Sequence, residues 1–136
     1  MPNTMNTANC WITADGGDTG RLLQKIEKNF LIGLRETDPA LLAMFAERDV
    51  QPYRDLLSWS GEFAGKYLVS AHVVYRLTHD ADLYDEIMAF IDELLPLQDT
   101  DGYLGCYSRA CRLTGSMSRE PEKLGASWDA WGHYHI

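Results

Sequence analysis

The sequence predicts an all-α protein, and three observations carry that prediction. Apolar residues recur at helical spacing in several separate stretches of the 136-residue chain. Helix-start and helix-stop residues stand at the ends of those stretches. A helix that is apolar almost all round is followed at once by an amphipathic one. This inner–outer pair is the unit of an α/α toroid, so we expect part of such a barrel.

The first elements are predicted from periodicity and capping. Residues 1–18 are polar and glycine-containing and indicate a flexible lead-in. Thr19 is in position to cap a helix over about 20–35, where Leu22, Leu23, Ile26, Phe30 and Leu34 recur. Asp38 as N-cap and Pro39 at the first helical position predict a short helix over about 39–48. Residues 49–60 are predicted to form a connecting loop.

The third helix, over about 61–78 with Ser60 as its cap, is the most apolar. Its polar stripe consists of Glu62, Lys66 and Ser70 at spacings of i, i+4 and i+8. A helix this apolar is expected to be buried on most sides. A polar stripe on such a helix needs paired partners or water-filled space, which indicates a cavity.

The next predicted helix completes an αα-hairpin with the third helix. Asp80 is predicted to cap an outer helix over about 81–95 that Pro96 ends. Residues 98–127 have no clear period. Within them we expect a turn at Asp101–Gly102, anchored by Tyr103, and a short strand over 103–107. Trp128 or Asp129 is predicted to open a final helix.

Composition excludes some classes of partner. The formal charge of −8, from 12 basic and 20 acidic residues, argues against nucleic acid and against an anionic membrane. No apolar run is long enough to span a bilayer, and no signal peptide is visible, so a cytoplasmic location is expected. Cys10, Cys106 and Cys111 are too few and too irregular for a disulfide framework or a structural zinc site, so buried or free thiols are expected.

Several motifs resemble glycoside hydrolase family 127, the β-L-arabinofuranosidase-like proteins long listed as a domain of unknown function. Residues 61–68 (GEFAGKYL) are similar to the family's G-H-x-x-G-H-Y-L helix opening. Gln98 followed by residues 101–105 (DGYLG) resembles its Q-x(n)-D-G-Y-L segment. Residues 128–135 (WDAWGHYH) resemble its W-x-x-W-x-x-Y-H helix start. Residues 20–24 and 38–42 fit its first helices more loosely, and the order of all segments agrees over roughly 19–136.

The resemblance implies a larger parent protein. The family combines an (α/α)6 barrel with β-sandwich modules, and characterised members are retaining exo-glycosidases. Their zinc-held cysteine nucleophile and its glutamate ligand would lie beyond Ile136, so residues 19–136 are expected to be an N-terminal fragment of the catalytic domain. Cys106 and Cys111 match none of those ligands. The chain itself is therefore expected to hold no catalytic residue and no zinc, and to be inactive in isolation.

A carbohydrate is the predicted partner, because aromatic faces stack on sugar C–H groups while His and carboxylate edges bond hydroxyls. The resemblance places His135 in a sugar subsite. The predicted substrate-binding residues are His135, Tyr134, Trp131, Glu62 and Tyr103. Each also has a purely structural alternative: core packing for the rings, and a helix-start acid for Glu62. Glu62 and Lys66 replace two histidines of the family, which puts a ligand role of that helix in doubt.

Two other functions remain open from the sequence. One is a non-catalytic helical module that binds a partner through its inner helix. The other is a different α/α-toroid enzyme, either a sugar epimerase or a polysaccharide lyase. Exposed apolar side chains also predict self-association of the isolated chain. The residues expected to need further neighbours are Phe63, Tyr67, Leu68, Val74 and Tyr75.

Overall fold

A computed structural model describes residues 17–113 and 128–136, and these ranges contain helices and irregular segments without a strand. The all-α prediction is confirmed for this part of the chain. Sequence-based predictions for 1–16 and 114–127 lie outside the described residues. The helices are α1 (Asp18–Ile26), α2 (Leu34–Thr37), α3 (Ala40–Ala46), α4 (Phe63–Thr78), α5 (Ala81–Leu94) and α6 (Asp129–His135).

The single helix predicted over 20–35 is wrong, because the chain breaks at Ile32 and Gly33. After α1 the backbone widens into a π turn, Glu27–Leu31. Ile32 is then extended, and Gly33 takes a left-handed conformation with φ of 79°, which glycine adopts without a steric cost. The break lets the short α2 pack separately. Glu27 is buried, and the Thr78 hydroxyl donates to it at 2.7 Å, which ties the π turn to the end of α4.

Capping by Asp80 is confirmed. Its carboxylate accepts hydrogen bonds from the backbone N–H groups of Asp82 and Leu83 at 2.9 and 3.2 Å. The other three predicted side-chain caps are wrong. α1 begins at Asp18 with Gly17 at its cap, so Thr19 lies inside the helix. A 3-10 turn, Ser60–Glu62, leads into α4 with no side-chain cap, and Pro39 rather than Asp38 stands at the cap of α3. In both places a turn of backbone hydrogen bonds begins the helix instead.

The core lies between α4, α5 and α3. Its fully buried members include Ala64 and Ala71 of α4, Leu83 and Phe90 of α5, and Phe45 of α3. The ring of Tyr67 packs at 4.7 Å from that of Phe90. Buried small side chains on α4 and buried large ones on α5 let the two helices of the hairpin pack closely. The predicted αα-hairpin is thereby confirmed.

The expected burial of α4 on most sides is wrong. Val69 and Val73 are 58% and 52% exposed, while Tyr67 and Val74 are buried. The apolar residues of α4 therefore split into a core face and a solvent-facing one. None of the described helices combines the length and hydropathy that a transmembrane span needs.

Residues 98–113 form a folded loop against the hairpin. The predicted turn at Asp101–Gly102 is confirmed, with Gly102 at φ of 89° and its N–H donating to the carbonyl of Asp99 at 2.9 Å. The predicted strand over 103–107 is wrong, since these buried residues are irregular. Cys106 and Cys111 are buried, as predicted.

Candidate functional site

Three glycines bring α6 against the start of α4. The Cα atoms of Gly61 and Gly132 lie so close that a Cβ on Gly132 would stand 3.4 Å from the Gly61 Cα. A Cβ on Gly65 would overlap the carbonyl group of His135. At Gly65 such an approach is possible only without a side chain, while at Gly61 and Gly132 a Cβ would be tightly packed. The contact joins segments about 70 residues apart in sequence.

The close approach assembles a polar cluster around Glu62, whose residue is 6% exposed. Lys66 donates to its Oε1 atom at 2.6 Å, one helical turn along. The Trp131 indole N–H donates to Oε2, and the Nε2 atom of His135 lies 3.5 Å from the same oxygen. We call these four residues the Glu62 cluster. The polar stripe predicted on α4 is therefore partly paired, as its setting required.

The charge state of Glu62 follows from these contacts. The hydrogen bond from Lys66, together with that from Trp131, lowers the pKa of the Glu62 carboxyl, and burial opposes them only in part. The group is therefore a carboxylate at neutral pH. It accepts hydrogen bonds and holds the imidazole of His135 beside it.

We expect the Trp131–Glu62 contact to be lost in acid. A carboxyl whose pKa is lowered on folding contributes stability above its unfolded pKa, and this is lost as pH falls through the folded value. The contact should be intact above pH 4.5, the ordinary pKa of Glu62, and should break below it. The NMR shift of the Trp131 indole proton against pH measures this. A Glu62→Gln variant should show no such transition, and a midpoint above pH 4.5 would contradict the prediction.

An aromatic surface lies beside the carboxylate. The rings of Trp131 and Tyr134 are nearly parallel, at 17° with centroids 5.4 Å apart, and both are exposed, at 47% and 77%. His135 meets both rings edge-on, with centroids 5.1 and 5.4 Å away. The structure therefore brings together four of the five predicted site residues: Glu62, Trp131, Tyr134 and His135.

Tyr103, the fifth, lies in a separate buried network. It is 4% exposed, and its hydroxyl donates to Asp129 Oδ1 at 2.9 Å and accepts from the Tyr107 N–H at 3.2 Å. The Arg112 guanidinium lies over the ring, 4.4 Å from its centroid. These contacts use its hydroxyl and cover the ring, as expected for the anchor of a turn. His133 packs on the same ring, at 4.8 Å.

Lys66 is the residue of the cluster that the sequence did not single out as a ligand contact. Its signal was present, since a Glu followed by a Lys four residues later on a helix is a pairing pattern. Lys66 also lines an apolar groove between α4 and α2–α3. The sequence could not show this, because the groove forms only when these helices pack together. Ser70, the last residue of the polar stripe, lines the same groove.

The zinc of the resembled family does not fit the described residues. Across 17–113 and 128–136, no three or more His, Cys, Asp or Glu side chains are grouped to hold a metal ion. Burial, followed by the nearby Asp129 charge, raises the pKa of the Cys106 thiol to about 12. A thiol with this pKa is a poor nucleophile and a poor metal ligand at neutral pH. We assign it a packing role.

The chain was compared with protein families, curated proteins and solved structures. No family model, no curated protein and no solved structure matches the chain.

Proposed function

We propose that this chain binds a sugar at the Glu62 cluster and belongs to a glycoside hydrolase related to family 127. One observation carries the proposal. Residues named as sugar contacts from sequence, on two segments far apart in the chain, meet in one cluster with two exposed, stacked aromatic rings, a carboxylate and an imidazole. A sugar site requires this combination, because rings stack on C–H faces and charged edges bond hydroxyls.

Each residue then has a distinct role. Trp131 and Tyr134 offer their faces to the sugar ring. The Glu62 carboxylate accepts hydrogen bonds from sugar hydroxyls in addition to those from Lys66 and Trp131. The Nε2 atom of His135 is buried 3.5 Å from Glu62 Oε2, and we assign the other ring nitrogen, Nδ1, to a sugar hydroxyl. The described residues offer no pair of carboxylates across the cluster, so we place binding here and no bond cleavage.

The α/α-toroid architecture belongs to the same proposal. The described hairpin, α4 and α5, has an inner-type helix and an outer amphipathic helix, as one unit of such a barrel would. The Glu62 cluster lies at the N-terminal end of the inner-type helix. The solvent-facing Val69 and Val73 are where a neighbouring unit of a barrel would pack.

A sugar titration followed by NMR tests the binding role. Methyl β-L-arabinofuranoside should shift the Trp131 indole signal with a Kd in the millimolar range. Trp131→Phe and His135→Ala should each weaken binding by about tenfold, the effect of about 1.4 kcal/mol. Because Trp131→Phe lacks the indole, its binding is followed by the NMR signals of the sugar itself. The matched controls, Trp128→Phe and His133→Ala, change the same residue types outside the cluster and should leave the Kd unchanged.

The result that would overturn the proposal is equally concrete. If no sugar in a panel of pentoses and hexoses moves the Trp131 signal, the cluster is a structural contact between α4 and α6. The exposed apolar face of α4 would then favour the helical interaction module instead.

A further inference from the structure

An apolar groove adjoins the Glu62 cluster, and Lys66 is common to both. The groove has a volume of about 390 Å³ and lies between α4, the π turn and α2–α3. Lys66 lines the groove, and its ammonium donates to Glu62 at 2.6 Å. Phe63, the residue after Glu62, forms part of its wall. Lys66 and Phe63 therefore connect the Glu62 cluster with the groove.

The walls of the groove are apolar and preformed. Its lining residues are Leu31, Leu34, Leu41, Phe63 and Tyr67, with Asp38, Lys66 and Ser70 on the rim. The Tyr67 hydroxyl donates to the Leu31 carbonyl at 3.3 Å, and burial raises the pKa of that hydroxyl to about 12. The hydroxyl is thus used within the fold, and the ring presents its apolar surface. Contacts with Phe90 hold the ring in place.

We propose that the ligand of this site is a glycoside with an apolar aglycone, whose sugar lies at the Glu62 cluster and whose aglycone lies in the groove. This inference rests on the proposed function. A second sugar in the groove would leave its hydroxyls against leucine and phenylalanine walls without partners, which is costly. An aromatic or alkyl group instead buries apolar surface there. The groove volume falls in the range of small-molecule pockets.

Lys66 sets the boundary between the two parts. Its half-exposed side chain lines the groove, and its ammonium bonds Glu62, so the residue is shared by the polar cluster and the apolar groove. It is therefore placed to donate a hydrogen bond to the oxygen that links the sugar to its aglycone. Lys66 would therefore favour ligands in which an oxygen atom links the sugar to the aglycone.

The test compares three probes by NMR titration: methyl β-L-arabinofuranoside, phenyl β-L-arabinofuranoside and phenol. We expect the phenyl glycoside to bind about tenfold or more tightly than the methyl glycoside. It should shift the Trp131 indole and the Phe63 and Tyr67 signals together. Phe63→Ala should remove the advantage of the phenyl group and leave methyl glycoside binding unchanged. Val69→Ala, on the same helix but outside the groove, is the matched control and should change neither.

A second variant keeps the test decisive if Phe63→Ala does not fold. Ser70→Phe adds a ring at the exposed rim of the groove and should also remove the advantage of the phenyl group. Equal affinities for the methyl and phenyl glycosides, with Trp131 shifted by both, would overturn the aglycone inference and leave the proposed function standing. Phenol and the phenyl glycoside shifting only Phe63 and Tyr67 would overturn both. No shift with any probe would do the same.

Discussion

Replacing Gly65 by alanine is expected to detach α6 from α4 and to abolish sugar binding. A Cβ at this position overlaps the carbonyl group of His135, which is backbone and cannot turn aside. Alanine in a helix otherwise gains about 1 kcal/mol over glycine, so the sign of the effect separates the steric contact from helix propensity. We expect a net loss of about 2–4 kcal/mol of unfolding free energy, because detachment also uncovers the buried contacts of α6.

Two measurements check this expectation. Denaturant unfolding gives the free energy, and the Trp131 indole shift reports the contact with Glu62. Ser70→Ala is the control, since it raises helix propensity on the same helix at an exposed position. If Gly65→Ala were as stable as the unchanged protein and kept its Trp131 shift, the close approach of α6 and α4 would be wrong.

The sequence predicted the elements better than their contacts. Asp80, Pro96 and the α4–α5 hairpin act locally, through caps and periodicity, and these predictions hold. The break at Gly33 was missed because a single glycine inside a periodic run does not reveal its φ angle. The exposure of Val69 was missed because composition says how apolar a helix is, and not how many neighbours surround it.

The candidate site was partly predictable for a related reason. Trp131, Tyr134 and His135 share one short segment, so their proximity follows from sequence spacing. Their meeting with Glu62 depends on Gly61 and Gly65, whose lack of side chains matters only once α6 lies against them. Tyr103 had the right chemistry for a sugar contact but a different setting, because the turn it follows directs its hydroxyl to Asp129. A partner 26 residues away cannot be seen from periodicity.

Asp129→Ala is expected to destabilise the protein by about 3 kcal/mol. The side chain is 2% exposed and accepts from the Tyr103 hydroxyl at 2.9 Å and the Leu113 N–H at 2.8 Å. Alanine would leave two donors without their acceptor, and each unsatisfied buried group costs about 1–3 kcal/mol. Asp129→Asn keeps one amide oxygen and should lose about half as much. Asp85→Ala, an exposed acid on α5, should change stability by less than about 0.5 kcal/mol.

A double-mutant cycle with Tyr103→Phe separates the hydroxyl bond from the rest of the network. The two single losses should exceed the loss in the double variant by about 1 kcal/mol or more, since both remove the same hydrogen bond. Leu113 provides a second reporter. It has a positive φ of 53°, a strained conformation for leucine that the bond to Asp129 helps to hold. In Asp129→Ala its N–H should exchange with solvent faster, as measured by hydrogen exchange. Additive losses with unchanged exchange at Leu113 would mean that Asp129 contributes through packing and not as the shared acceptor that joins α6 to the loop.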